Sequence, residues 1–305
     1  MITTIKNINT NENENKFIQW ANFHTHCNFC HGKGSPEEYV EEAIKTNLCI
    51  LGFSCHASLP FYTEWAMSKE KEKEYPIVIN SLKKKYESKI NIKLGLEIDY
   101  IRGIAGENMN DYNKLMDLDY SIGSIHYLGE YNSENLLPVD ADEEYFTNGL
   151  QKLYGGNIKK VVEEYYLLLQ EMVCKGGFNI VGHLDIIKKN NQNSKFYSED
   201  EKWYKNIVED TLLTILKKGL IVEANTGGMS RNYINSTYPS PWILERCLKL
   251  NIPVVLSSDA HLPSHITAFF SETAQIMQKL GFEYLYILGD EKWEPRHFTA
   301  KGLIL

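Results

Sequence analysis

Six of this chain's nine histidines stand at the C-terminal ends of short apolar runs: His24, His26, His56, His126, His183 and His261. A seventh, His31, follows just after the first run, and only His265 and His297 fall elsewhere. Short apolar runs separated by amphipathic stretches read as buried strands alternating with helices, the pattern of a parallel α/β fold. Right-handed crossovers close such an alternation into a barrel, and in a barrel every C-terminal strand end opens on one face. The histidine placement therefore restricts fold and site together.

The stretch 22–35, NFHTHCNFCHGKGS, displays the repeating unit most fully. His24 and His26 lie two residues apart after FIQWANF, so a strand there points both imidazoles the same way. Gly32-Lys33-Gly34 makes a turn, and Ser35-Pro36-Glu37-Glu38 reads as a helix start, with Ser35 as N-cap and Pro36 at the first helical position. The patterning predicts helices over 36–46, 77–89, 111–116, 157–175, 198–218, 241–250 and 263–280. Further strands are predicted over 48–54, 90–98, 120–125, 178–182, 220–224 and 252–257, which with the opening run makes seven. Residues 59–76 read as a loop or lid and 127–156 as an irregular connection, both over the mouth; 282–305 read as strand-like runs closing the barrel bottom or edge. No linker interrupts the alternation, so 1–305 is expected to form a single domain, with 1–17 as a polar lead-in.

Composition narrows the partners. A net charge of −8 argues against a nucleic-acid surface and against binding to an anionic membrane. No run of about 18 apolar residues is present, so no transmembrane helix is expected, and the polar N-terminus lacks a signal core. Six cysteines without secretory features suggest the reduced thiols of a cytoplasmic protein. Cys27 and Cys30 form a C-x-x-C, read as ordinary buried or half-exposed thiols because it does not open a helix after a strand.

The strand ends also carry Glu97 on the third strand and Asp259 on the seventh; the sixth ends in Asn225 and Thr226 instead. One histidine after a strand is usually a structural residue. Seven histidines and two carboxylates on one face are not, because without a cation they leave buried charges unpaired. The expectation is a multinuclear metal site built from nitrogen and oxygen donors, which suits Zn, Mn or Fe. Cys27 faces opposite to His26 and is not expected to ligate.

The segments HTHCNFCHGKGSPEEYVEEA, LGFSCHASLPF, GLEIDYI, IGSIHYL, VGHLDIIKK, EANTGGMSR and SSDAH, in this order over about residues 20–265, resemble the successive motifs of the PHP (polymerase and histidinol phosphatase) superfamily, in its histidinol-phosphatase branch. The resemblance implies a distorted seven-stranded TIM-like barrel holding up to three divalent metals. His24, His26, Glu97 and Asp259 would hold the first. Glu97 would bridge to a second held by His126 and His183, and His31, His56 and His261 would hold the third. Relatives commonly carry Asp where this chain has His31. The implied reaction is hydrolysis of L-histidinol phosphate in histidine biosynthesis, through a metal-bridging hydroxide, with Glu97, Asp259 and Arg231 as the catalytic set.

Arg231, in the loop after the sixth strand, is the expected phosphate ligand. Lys188 is a second candidate, and Asp185 would orient a histidine or face the substrate. Phe61, Tyr62 and Trp65 would stack on an imidazole or cover the rim. Two rivals stay open from sequence: another small phosphate ester, such as a nucleotide or sugar phosphate, and a metal-binding barrel without turnover. Oligomeric state is not legible.

Overall fold

The computed structural model describes residues 18–129, 136–290 and 292–305; the expected lead-in over 1–17 lies outside them. The chain opens with β1 (Ile18–Asn22), α1 (Pro36–Lys45), β2 (Leu48–Phe53), α2 (Lys69–Tyr86), β3 (Asn91–Asp99), α3 (Met109–Met116) and β4 (Tyr120–Ser124). A small hairpin, β5 (Tyr127–Leu128) and β6 (Leu137–Pro138), leads into α4 (Glu143–Tyr154) and α5 (Ile158–Lys175). Then follow β7 (Ile180–Val181), α6 (Lys202–Lys218), β8 (Ile221–Asn225), the short α7 (Gly227–Ser230), α8 (Pro241–Lys249), β9 (Val254–Ser257) and α9 (Phe270–Leu280). The tail forms β10 (Tyr284–Leu288), β11 (Trp293–Thr299) and β12 (Gly302–Ile304).

Six parallel pairings connect β1, β2, β3, β4, β7, β8 and β9 in that order. The two outer members of this run meet just beyond their C-terminal ends, where Thr25 bridges Ala260. His26 N donates to Ala260 O at 2.9 Å. The buried Asn22 side chain ties the same seam, donating to Ser258 Oγ at 2.6 Å and to Ile266 O at 2.8 Å. At its other end β1 pairs with β12 instead, antiparallel through Ile18–Ile304, and β11 and β10 extend from there.

The sheet is therefore ten-stranded and mixed, a nearly closed α/β barrel rather than a plain ring of seven strand–helix units. The three antiparallel strands come from the tail, whose strand-like runs were expected to close the bottom or edge. No local pattern reveals that they pair with β1, because that contact spans nearly the whole chain.

Local chemistry explains most boundaries. Ser35 caps α1 in a reciprocal box with Glu38, as the Ser-Pro-Glu-Glu signal predicts. α2 begins at Lys69, not at 77. Ser68 caps it, and Pro76 sits inside it. Pro76 removes one helical hydrogen bond, yet Tyr75, Ile79, Leu82 and Tyr86 bury one face and hold the helix across the gap. The long lid thus shrinks to 59–68. α4 replaces much of the irregular connection, with Asp142 accepting from Tyr145 N at 2.8 Å. The predicted 263–280 helix is instead a 3-10 turn, Pro263–His265, followed by α9.

The parallel strands are buried on both faces, as the apolar runs require. Inside them Tyr120 lies across β3 and β2, fully buried, its hydroxyl donating to Phe23 O and its ring edge-on to Phe23 and Trp293. Gly95 and Gly52 make room for that ring. A Cβ at Gly95 would stand 2.3 Å from Tyr120 Cζ, and one at Gly52 2.3 Å from its hydroxyl. We expect Gly95→Ala to lower the unfolding free energy by about 1–3 kcal/mol through overpacking. An unchanged urea midpoint would show that the ring can yield.

Candidate metal centre

The C-terminal ends of the parallel strands deliver their polar side chains to one buried point. Glu97, near the end of β3, is its centre and is 1% exposed. Its Oε2 lies 3.1 Å from His24 Nε2, 3.3 Å from His26 Nε2 and 3.2 Å from His56 Nδ1. Its Oε1 lies 2.9 Å from His183 Nε2 and 3.8 Å from His126 Nε2, and accepts from Ser124 Oγ at 2.6 Å. One carboxylate thus separates two groups of imidazoles. Asp259 faces the first group, with Oδ1 3.2 Å from His26 Nε2 and 3.7 Å from His24 Nε2.

His31 and His261 meet at the rim, Nε2 to Nε2 at 2.6 Å. Their rings and that of His56 surround His26, with centroids 4.5–5.6 Å from it. All nine predicted metal-site residues therefore converge. Arg231 joins them: Nη2 donates to Asp259 Oδ2 at 2.8 Å and Nη1 lies 3.2 Å from His261 Nδ1.

The electrostatics follow from burial against pairing. Burial opposes ionisation of Glu97, but the charges of His56 and His24 and the hydrogen bond from His183 hold its carboxyl well below the usual range. Burial likewise opposes ionisation of Asp259, and Arg231, His24 and His26 hold it low. Burial works against a proton on His126, yet Asp99 raises its pKa to about 10. Burial and the neighbouring His26 charge push His261 well down, so it stays a neutral donor. Among the described residues His26 Nε2, His56 Nδ1 and Asp99 Oδ2 are buried without a hydrogen-bond partner. Donor groups such as His24/His26/Glu97, His56/Glu97/His126 and His26/His31/His56 each fall within 4.8 Å and could hold a cation.

Two carboxylates went unnoticed in the sequence. Glu223, fully buried on β8, accepts from His24 Nδ1 at 2.7 Å and from His183 N at 2.9 Å. Asp99, at the end of β3, accepts from His126 Nδ1 at 2.6 Å. Both fix which ring nitrogen of the partner histidine faces the centre. Counting in twos along each strand finds them, back from Asn225 to Glu223 and on from Glu97 to Asp99.

A cavity of about 270 Å³ opens above the centre, lined also by Trp65, Tyr127, Asp140, Lys189, Arg231 and Tyr233. The structure does not bring Lys188 or Asp185 to it. Lys188 is buried, donating to Thr237 O at 2.8 Å and Ser240 Oγ at 2.6 Å, with Asp185 Oδ2 2.9 Å away. In the 3-10 turn Ile186–Asn190 successive side chains diverge, so Lys188 points inward and Lys189 reaches the cavity, 4.2 Å above the Tyr233 ring centre. Of the three predicted loop aromatics only Trp65 lines the cavity; Tyr62 is 88% exposed. Cys27 does point away, into the core.

The PHP domain family model matches residues 22–227. The histidinol-phosphatase of Bacillus subtilis (strain 168) is 32% identical over 260 residues, covering 80% of this chain and 94% of that protein. A Deinococcus radiodurans protein named a probable histidinol-phosphatase is 29% identical over 261 residues, covering 85% and 92%. In three dimensions the chain superposes on the histidinol phosphate phosphatase of Lactococcus lactis, a structure holding zinc, L-histidinol and phosphate. That superposition has a TM-score of 0.69 and 21% identity, and it covers 93% of this chain and 98% of that one. With the family motifs, the barrel-like sheet and the relatives in agreement, the chain belongs to the PHP family, in its histidinol-phosphatase branch.

Proposed function

We propose that this protein is a metal-dependent phosphomonoesterase that hydrolyses L-histidinol phosphate to L-histidinol and phosphate. The observation that carries this reading is the division of imidazoles by Glu97, with Arg231 and Lys189 over the same cavity. The names of the relatives and the ligands of the Lactococcus structure support the substrate. The parallel strands and their Thr25–Ala260 closure support reading the fold as a distorted seven-stranded barrel with an antiparallel flap.

The donor set fits divalent metal. His31 and His261 nitrogens 2.6 Å apart and unpartnered His26 and His56 nitrogens are satisfied by a cation, and the mixed nitrogen and oxygen donors suit Zn, Mn or Fe. We assign His24, His26, Glu97 and Asp259 to one metal, Glu97, His126 and His183 to a second, and His31, His56 and His261 to a third. When bound, such metals supply an acidified water and positive charge beside the phosphoryl oxygens.

The chain's own residues do the rest. Glu97 and Asp259 are held ionised and give the centre a negative lining, whose buried charge a bound cation would offset. Glu223 and Asp99 fix the tautomers of His24 and His126. Arg231 lines the cavity, and beyond its bonds to Gly227 O, Asp259 and His261 its Nη1 and Nη2 each keep a second N–H for a phosphate oxygen. Lys189 adds a second positive charge on the same side. Trp65 and Tyr127, stacked with centroids 6.0 Å apart, wall the cavity with flat apolar surface against which an imidazole ring packs.

Steady-state kinetics against a panel of phosphate esters tests the substrate. Histidinol phosphate is expected to exceed nucleotide and sugar phosphates by at least about tenfold in kcat/KM, roughly 1.4 kcal/mol of transition-state binding. Equal or higher values for a nucleotide or sugar phosphate would overturn it. The two lysines should separate cleanly. Lys189→Ala is expected to raise KM by roughly tenfold with unfolding unchanged. Lys188→Ala leaves Asp185 buried and unpaired, and is expected to cost about 3–5 kcal/mol of stability with KM unchanged. Reversed phenotypes would return the substrate role to Lys188.

A further inference from the structure

Three cysteines surround the back of the metal centre, and each is the chain neighbour of a histidine in it: Cys27 follows His26, Cys30 precedes His31, and Cys55 precedes His56. Cys27 and Cys55, in the segments that follow β1 and β2, are fully buried with their sulfurs 3.4 Å apart. The Cys27 amide also points at the Cys55 sulfur, at 3.5 Å. Cys30 is half-buried. Its sulfur lies 3.4 Å from His26 Nδ1 and 3.6 Å from Cys27 O. The remaining cysteines do not share this arrangement: Cys49 donates to Trp20 O, Cys174 is exposed and Cys247 is buried in the core.

Cys30 also lines a groove of about 380 Å³ beside the 59–68 loop, with Phe61, Tyr62, Met67 and Lys71. That groove is not the catalytic cavity, so a small oxidant reaches the cluster without crossing the active site. A disulfide has its sulfurs about 2.05 Å apart. Cys27 and Cys55 therefore have to close by only about 1.4 Å to be joined.

We propose that this cluster is a redox modification site, in which Cys30 is the entry point for a peroxide and Cys27–Cys55 is the disulfide that forms. The Cys30 sulfur attacks one peroxide oxygen; a sulfur–oxygen bond forms, the oxygen–oxygen bond breaks, and the departing oxygen leaves as water with the thiol proton. The Cys55 sulfur then attacks the Cys30 sulfenic acid, forming a disulfide and releasing the second water. The Cys27 sulfur finally displaces Cys30 from Cys55, regenerating the Cys30 thiol. Two thiols and one hydrogen peroxide give one disulfide and two waters. A dithiol reductant reverses the change by exchange. Contraction of the Cys27–Cys55 pair draws together the segments after β1 and β2 that carry the stacked His26 and His56 rings, 4.5 Å apart. Taking those rings as metal ligands, as proposed above, oxidation loosens the metal.

Peptide mapping of the metal-loaded protein after stoichiometric hydrogen peroxide and alkylation reads the thiol state directly, whatever the substrate proves to be. The expected product is a Cys27–Cys55 linked peptide, cleaved by dithiothreitol, with Cys30 alkylated as a free thiol and zinc content falling on oxidation. Cys30→Ser should slow the linkage by about tenfold or more, while Cys174→Ser should leave it unchanged. Absence of the linked peptide overturns the site. A linkage formed as fast in Cys30→Ser overturns the entry role, and a linked protein that keeps all its zinc overturns the coupling to the metal centre.

Discussion

Everything at the strand ends depends on one buried carboxylate. Glu97 sits at 1% exposure with an imidazole group on each oxygen. A buried anion is tolerated only when its neighbours supply positive charge. Four carboxylates, those of Glu97, Asp99, Glu223 and Asp259, crowd this centre, and Arg231 is the one fixed cation the described residues place among them. Protons on the imidazoles are one source of that balance. Despite burial, His24 and His26 are raised, chiefly by Glu223 for the first and by Cys30 and Asp259 for the second, and His126 by Asp99. Divalent cations would replace those protons among the same side chains.

The fold exists, from this viewpoint, to hold charged groups where an apolar core would refuse them. Parallel strands present their ends together, and the Asn22–Ser258 hydrogen bonds and the Thr25–Ala260 bridge close the sheet at the height of the site. Below that level β12 takes over the pairing of β1, and Tyr120 fills the interior. The apolar core therefore begins one layer beneath the imidazoles. Asp259 holds φ at 48°, a left-handed conformation that aspartate tolerates better than most residues.

How much of this was legible differs by element. The histidines, Glu97 and Asp259 could be read because each stands where an apolar run stops, and strand ends of a parallel sheet share a face. Glu223 and Asp99 could not be read by that rule, since Glu223 lies within its run and Asp99 two residues past Glu97, and only the period of two exposes them. Lys188 and Lys189 were exchanged because a 3-10 turn rotates neighbouring side chains further than a helix start would, and sequence does not distinguish the two. Pro76 concealed the first half of α2, where tertiary burial overrides a local breaker. The Cys27–Cys55 contact joins neighbouring strands through register alone, so C-x-x-C spacing drew attention to Cys27 and Cys30 but not to Cys55.

The central claim, that the Glu97 carboxylate divides a cluster built for more than one cation, is tested most directly by anomalous diffraction at the zinc edge from crystals of the zinc-loaded protein. The account predicts separate peaks on the two sides of Glu97, one among His24, His26 and Asp259 and one between His126 and His183. A single peak remote from Glu97, or no peak at full zinc loading, would contradict it.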